Sequence, residues 1–205
     1  MPTPAVDLLV LAGGRGERLG GRDKAALEVG GRSLLERVLE AAPVLGGRVV
    51  VVGDTPVPPG VLRTLEDPPD GGPVAGIAAG LTALDTGRPG RTGGAPSEWV
   101  AVVAVDQPGA ASALAALHAA LRTTPPVADA VSHADQEGHR QWLLAVYRRP
   151  ALDTALGALP TVRDTSVRRL VADLRWHVVE RGAQHLGDVD TWDDASRWER
   201  RLAGP

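Results

Sequence analysis

The chain has 205 residues, 43% hydrophobic and 23% charged, with a formal net charge of −3. It is long enough to bury a sizeable core in one domain, and it lacks the basic excess by which a protein grips nucleic acid. The absence of cysteine excludes disulfides, thiolate zinc sites, iron–sulfur clusters and cysteine nucleophiles. No apolar run reaches membrane-spanning length and segment 1–7 has no basic leader, so no membrane partner is expected and the expected location is the cytoplasm.

Residues 5–12 form an apolar run that predicts a buried first strand. Ser33-Leu-Leu-Glu36 has the spacing of a capping box and opens a helix expected to reach about Ala42. Residues 48–53 predict a second buried strand, and residues 61–66 a short third one. Gly72-Pro-Val-Ala-Gly76 leads into a helix, with Pro73 suited to its first turn. Residues 87–97 are rich in Gly, Pro and Arg and predict a surface linker. Residues 99–105 form a strongly apolar strand that stops at Asp106. Further on, residues 128–133 and 142–147 predict two strands joined by a polar turn. Helices are expected over 149–159 and 166–172, and a weak strand over 175–180. Thr191-Trp-Asp-Asp194 is a second capping box, opening a terminal helix to about Leu202.

Continuous apolar strands separated by helices predict an α/β fold: a doubly wound, mostly parallel sheet of Rossmann-like topology, covered on both faces as three layers. In such sheets ligands sit beyond the carboxyl ends of the strands. Gly13, Gly53, Asp67 and Asp106 all fall at or just past predicted strand ends.

Directly after the first strand come five glycines and three arginines within residues 13–22, and then Lys24. Glycines let the backbone approach a ligand closely and aim several N–H groups at one anion, to which Arg15, Arg18 and Lys24 add positive charge. A polyphosphate suits that arrangement. The spacing matches neither a P-loop, since Lys24 is followed by Ala25, nor G-x-G-x-x-G, since Leu19 stands at the third glycine position. Lys24 reads either as a phosphate-pairing point charge or as the partner of Asp23 or Glu28.

Asp106, directly after a buried strand, suits a Mg²⁺ ligand, because Mg²⁺ takes one or two carboxylates plus phosphate oxygens. Alone it reads equally well as a turn residue before Gln107-Pro-Gly. Asp188 and Asp190 share a face if their segment is extended, and they also fit a simple helix entry. Asp67 reads as an acceptor for a base or ribose group, or as a pre-proline loop residue. His139 and Arg140 in a polar turn are placed to touch an acceptor or are solvated. The histidines show no metal-ligand spacing, and Ser132, His133 and Asp135 lack a nucleophile elbow.

The stretch Leu11-Ala-Gly-Gly-Arg-Gly-Glu-Arg-Leu-Gly-Gly-Arg-Asp-Lys-Ala-Ala-Leu27 resembles the signature of nucleotidyltransferases that activate sugars, alditols and cofactors. Its double glycine with Asp-Lys is most similar to the molybdenum cofactor guanylyltransferases, which join GMP from GTP to molybdopterin-bound molybdenum and release pyrophosphate. Glu66-Asp67, Gly72-Pro-Val-Ala-Gly76, Val105-Asp106-Gln107-Pro108 and Asp188-Val-Asp-Thr191 resemble the family's later segments.

The resemblance implies a Mg²⁺-dependent enzyme using GTP or another NTP and a phosphorylated acceptor, the molybdopterin cofactor, and working as a monomer or weak homo-oligomer. Length and element order predict one domain over 1–205, with a nucleotide half to about 124 and an acceptor half from about 125. Leu11, Ala12, Gly13 and Gly14 would hold the nucleotide through backbone groups, with Gly53 and Gly76 beside it. Lys24 would contact its phosphates, and Asp67 the guanine nucleotide. Asp106 would bind Mg²⁺ and phosphates, and Asp188 or Asp190 would complete the metal site.

Two departures stand out. Gly53 replaces a nucleotide-contacting Asn, and residues 140–147 keep only the end of a family motif. Transfer of CMP, activation of a sugar or alditol phosphate, and a nucleotide-binding regulator without catalysis therefore stay open.

Overall fold

A computed structural model of the chain describes residues 3–13, 23–86, 97–135, 137–180 and 186–203. Its centre is a seven-stranded sheet built from β1 (Val6–Leu11), β4 (Gly46–Val52), β5 (Leu62–Thr64), β6 (Trp99–Ala104), β7 (Ala130–Ala134), β8 (Arg140–Arg148) and β9 (Trp176–Val178). The spatial order is β5-β4-β1-β6-β8-β7-β9. Only β8 runs against its neighbours, and the remaining adjacent pairs are parallel, so the sheet is mostly parallel as expected. A small hairpin, β2 (Glu28–Val29) and β3 (Arg32–Ser33), stands apart from it.

The apolar runs become central strands because both of their faces are covered. Alternate residues of β1 point to opposite cores: Val6, Leu8 and Val10 into one, Leu9 into the other. Helices α1 (Leu34–Leu39), α2 (Ala42–Leu45), α4 (Ala110–Ala120) and α7 (Trp192–Leu202) supply the first core. Helices α3 (Pro73–Thr86), α5 (Arg149–Gly157) and α6 (Val167–Leu170) supply the second. No described helix is long and apolar enough to cross a membrane.

Both capping boxes form: Ser33 with Glu36 at the start of α1, and Thr191 with Asp194 at the start of α7. The first helix ends at Leu39, short of the expected Ala42. Pro43 explains the break, because its ring would clash with the Leu39 carbonyl and it has no N–H to continue the ladder. Instead Pro43 sits in the first turn of a new helix, α2. Of the expected linker 87–97, only Ser97 lies among the described residues. Ser97 Oγ donates to the buried carboxylate of Asp7 (2.9 Å), which also accepts from the Arg48 backbone N–H (2.7 Å). These bonds fasten the amino-terminal edge of the sheet.

Beside them β4 passes very close to β1. A Cβ on Gly47 would lie 2.2 Å from the Val6 carbonyl oxygen and 2.6 Å from the Asp7 nitrogen. Both neighbours are backbone and cannot swing aside. Gly47→Ala is therefore expected to cost about 3 kcal/mol of stability, read as a lower urea midpoint with an unchanged slope.

Candidate active site

The chain leaves β1 toward β4 on one side, and β6 lies on the other. The carboxyl ends of β1 and β6 thus flank the point where the strand order reverses, which is where such sheets open a crevice. Leu11 and Ala12 are clamped there: Val105 N–H donates to the Leu11 carbonyl (3.0 Å), and Ala12 N–H donates to the Val52 carbonyl (2.8 Å). Gly13 follows, and among the described residues nothing but its chain neighbours would lie within 4 Å of a Cβ there. Gly14, Arg15 and Arg18 lie outside the described residues.

Gly53 lies against this platform. Its N–H donates to the Thr64 carbonyl (2.9 Å), and a Cβ would meet the Ala12 carbonyl carbon at 2.9 Å. A glycine here lets two strand ends touch, a role that leaves no room for an Asn side chain in this backbone. Gly76 is buried in α3, where a Cβ would meet Leu11 Cδ2 at 3.0 Å. It lets α3 sit close on the sheet and so supports Leu11 from behind. Asp67 lies in the exposed loop between β5 and α3.

Lys24 opens one 3-10 turn, Lys24–Ala26, rooted by the buried Ala25. Asp23 is not its partner: that carboxylate caps the turn by accepting from Ala25 N–H (2.9 Å). The following hairpin is pinned to α1 by Arg37, whose Nε donates to the Val29 carbonyl (2.7 Å) and Nη2 to the Gly30 carbonyl (3.0 Å). So held, Lys24 reaches into the crevice. Its Nζ donates to Asp190 Oδ1 (2.6 Å) and to Asp106 Oδ2 (3.2 Å).

The segment 188–190 comes to this place through Val189. Its side chain is fully buried, and its N–H donates to the Asp106 carbonyl (2.8 Å). Burial of Val189 leaves Asp188 and Asp190 on the outer face, as an extended segment requires. Helix α7 then carries the chain back into the core through Ala195 and Trp198. Asp190 also has a part in the helix entry, since its backbone N–H donates to the Asp194 carboxylate (3.2 Å).

The electrostatics follow from this crowding. Burial raises the Asp106 carboxyl above its ordinary value, opposed by Lys24 and reinforced by Asp188 and Asp190. Burial by itself would lower the Lys24 ammonium, but the hydrogen bond to Asp190 and the charge of Asp106 outweigh it, and the net shift is upward. Two carboxylates hold one ammonium, and the charge of Asp188 acts on Asp106 beside them, an excess of negative charge that favours a further cation. Their hard oxygens are the donor type Mg²⁺ takes. Among the described residues no three His, Cys, Asp or Glu side chains already close on one point as a metal cage. The donor chemistry alone fits a Mg²⁺ site of one or two carboxylates, whose remaining positions would go to phosphate oxygens.

The other sequence candidates fall elsewhere. Both ring nitrogens of His133 face backbone carbonyls, of Val179 (2.8 Å) and Ala113 (3.1 Å). Asp135 accepts from the N–H groups of Glu137 and His139 in its own turn, so no triad forms with Ser132. The Arg140 guanidinium lies 5.4 Å from the centre of the Trp176 ring. Sequence reasoning placed Lys24 with phosphates or with its neighbours in the chain, and it missed the ion pairs across the crevice. The spacing of Asp188 and Asp190 was the only signal for them.

Residues 8–181 match the model of the MobA-like NTP transferase domain. The chain belongs to this family. Among curated relatives it is 38% identical, over 110 residues, to a molybdenum cofactor guanylyltransferase of Rhodopseudomonas palustris (strain BisB5); the match covers 51% of this chain and 50% of that protein. The chain thus spans about half the length of the curated relatives it matches. Two solved structures share the fold. Molybdopterin-guanine dinucleotide biosynthesis protein A from Archaeoglobus fulgidus superposes with a TM-score of 0.68 at 20% identity, covering 98% of this chain and 100% of that one. 2-C-methyl-D-erythritol 4-phosphate cytidylyltransferase from Thermus thermophilus superposes with a TM-score of 0.62 at 21% identity, covering 97% and 99%. Within the MobA-like domain the glycine-rich turn, Asp67, Asp106 and most of the sheet lie inside the matched span, whereas Asp188 and Asp190 lie beyond it.

Proposed function

We propose that this chain is a Mg²⁺-dependent nucleotidyltransferase that moves GMP from GTP to a phosphate of a molybdopterin-type acceptor and releases pyrophosphate. The observation that carries the reading is the Lys24 ammonium held between Asp106 and Asp190 at the carboxyl ends of β1 and β6.

In the reaction an acceptor phosphate oxygen forms a bond to the α-phosphorus, and the bond from that phosphorus to the bridging oxygen of pyrophosphate breaks. The leaving group departs with the electron pair. The acceptor is already anionic, so no side chain need remove a proton from it, and catalysis reduces to positioning and charge neutralisation. Leu11 to Gly13 offer backbone groups to the nucleotide at the crevice floor. Lys24 exchanges its carboxylate partners for phosphate oxygens when the nucleotide arrives. That exchange frees the oxygens of Asp106 and Asp190 for a divalent cation, with Asp188 beside them. Asp106 and Asp190 would hold Mg²⁺ there, and the charge neutralisation it would supply is at the α-phosphate. Arg15 and Arg18 would neutralise the departing pyrophosphate, and Asp67 would contact the guanine nucleotide.

Relatives named as molybdenum cofactor guanylyltransferases support GTP and the acceptor. The solved cytidylyltransferase of the same fold makes CTP the competing donor. Pyrophosphate release should be measured with GTP, CTP, ATP and UTP in turn, with molybdopterin as acceptor. GTP with Mg²⁺ is expected to be fastest, and a chelator to abolish release. A preference for CTP would reassign the donor. Stabilisation by GTP without turnover would point to a regulator, and indifference to every nucleotide would overturn the reading.

A further inference from the structure

The loop 65–72 runs from β5 to the start of α3 and carries Asp67. Its residues 66–67 are followed by Pro68 and Pro69, which have no N–H to donate but keep their carbonyls as acceptors. They are held from far along the chain. Arg163 Nη1 donates to the Pro68 carbonyl (2.9 Å) and the Pro69 carbonyl (3.2 Å), and Nη2 donates to the Pro69 carbonyl (3.2 Å). The next residue completes the grip: Asp164 N–H donates to the Gly71 carbonyl (2.9 Å).

The clamp is itself braced. Arg163 N–H donates to Thr161 Oγ1 (3.2 Å), and Thr165 Oγ1 donates to the Thr161 carbonyl (2.8 Å). Asp164 adopts a left-handed φ of 55°, which aspartate tolerates in a tight turn. A Cβ on Gly71 would lie 2.7 Å from Ala75 Cβ and 3.3 Å from Arg163 Nη1, so the glycine lets α3 start close to the loop and leaves room for the guanidinium beside it. Arg163 Nε lies 3.9 Å from Asp164 Oδ2, and the two Nη groups direct donors at the Pro68 and Pro69 carbonyls.

We infer that Arg163 is a positioning residue for the nucleotide base. It fixes the two carbonyls immediately after Asp67 and thereby holds the loop that carries that carboxylate. The inference rests on the nucleotidyltransferase reading and deepens it. Residues 67–70 are exposed and Leu65 is 46% exposed, so the loop has little apolar anchorage of its own. Without the clamp the loop gains freedom that nucleotide binding must then remove, while the core beneath it stays closed. The cost should fall on binding and base choice rather than on the chemical step or on global stability. A lysine at 163 reaches the carbonyls as a point donor without the guanidinium's fork, and restores only part of the effect.

The test compares Arg163→Ala, Arg163→Lys and Asp67→Asn with the wild-type chain in steady-state pyrophosphate release from GTP and from CTP, alongside urea unfolding. Arg163→Ala is expected to raise the GTP KM about tenfold with kcat changed less than about threefold. It should narrow the preference between GTP and CTP about tenfold and leave the unfolding midpoint near wild type. Arg163→Lys should recover part of both, and Asp67→Asn should narrow the preference in the same way. Wild-type KM and base preference in Arg163→Ala would overturn the inference while leaving the enzyme reading intact. So would a loss confined to kcat and the unfolding midpoint, or an unchanged preference in Asp67→Asn. A wild-type chain that binds and turns over no nucleotide would overturn both readings together.

Discussion

Asp106→Asn is expected to lower turnover by about 10³-fold or more while the chain still folds. Asp106 follows the innermost parallel strands, and its backbone carbonyl anchors the segment carrying Asp188 and Asp190. The substitution keeps that backbone bond and the side-chain shape, and removes only the charge. Stability should stay level or rise. Burial raises the Asp106 carboxyl above its ordinary value, so this group favours the folded state below the ordinary carboxylate range. That contribution is lost as pH rises through the raised value. In a chelating buffer the unfolding midpoints of wild type and Asp106→Asn should lie closest at the acid end of a window of about pH 4 to 8, then diverge in the variant's favour. A residue that costs stability where it is ionised and yet governs turnover is what a functional carboxylate should be. Near-normal turnover in the variant would remove Asp106 from the site.

Lys24→Ala should be nearly as damaging to activity, by about 10² to 10³-fold in kcat/KM for the nucleotide, and it should act on stability in the opposite direction. With the ammonium gone, Asp188 and Asp190 repel the Asp106 carboxylate unopposed. Lys24 is raised above its ordinary value of 10.5 in the folded chain, so its contribution is fully present below that value and is lost only as pH climbs through the raised one. At neutral pH the variant therefore lacks the whole of it. Asp190 is 43% exposed, and screening limits the loss to about 1 kcal/mol. Mg²⁺ should partly repair the deficit, because it no longer competes with an ammonium for the carboxylates. A larger Mg²⁺-induced rise in Tm for the variant than for wild type, in the absence of nucleotide, is the expected result. Equal rises would mean that Lys24 and the metal do not share a place.

Local chemistry was legible wherever its partners lie within a few residues. Ser33 with Glu36 and Thr191 with Asp194 declared their capping boxes, because both bonds of each close within one turn. The β7–β8 hairpin was legible from its polar turn, where Asp135 binds its own loop. Its position was not. β8 is inserted between β6 and β7, and nothing in an apolar run says which strand it will lie beside. Arg163 escaped notice because an arginine in a turn has no signature until the carbonyls it holds are placed, 94 and 95 residues away along the chain.

By itself the sequence determined the alternation of buried strands and helices and the acid at the end of the strand before α4, and it carries the glycine-rich segment after the first strand. Those are written in short-range pattern, since burial on two faces demands apolar runs and close backbone approach demands glycine. The tertiary structure alone decided that Lys24 meets Asp106 and Asp190, 82 and 166 residues away. It decided too that Gly53 and Gly76 serve close packing behind Ala12 and Leu11. A charge finds its partner through the path of the folded backbone, and that path is set by the sum of two cores rather than by any residue near the charge.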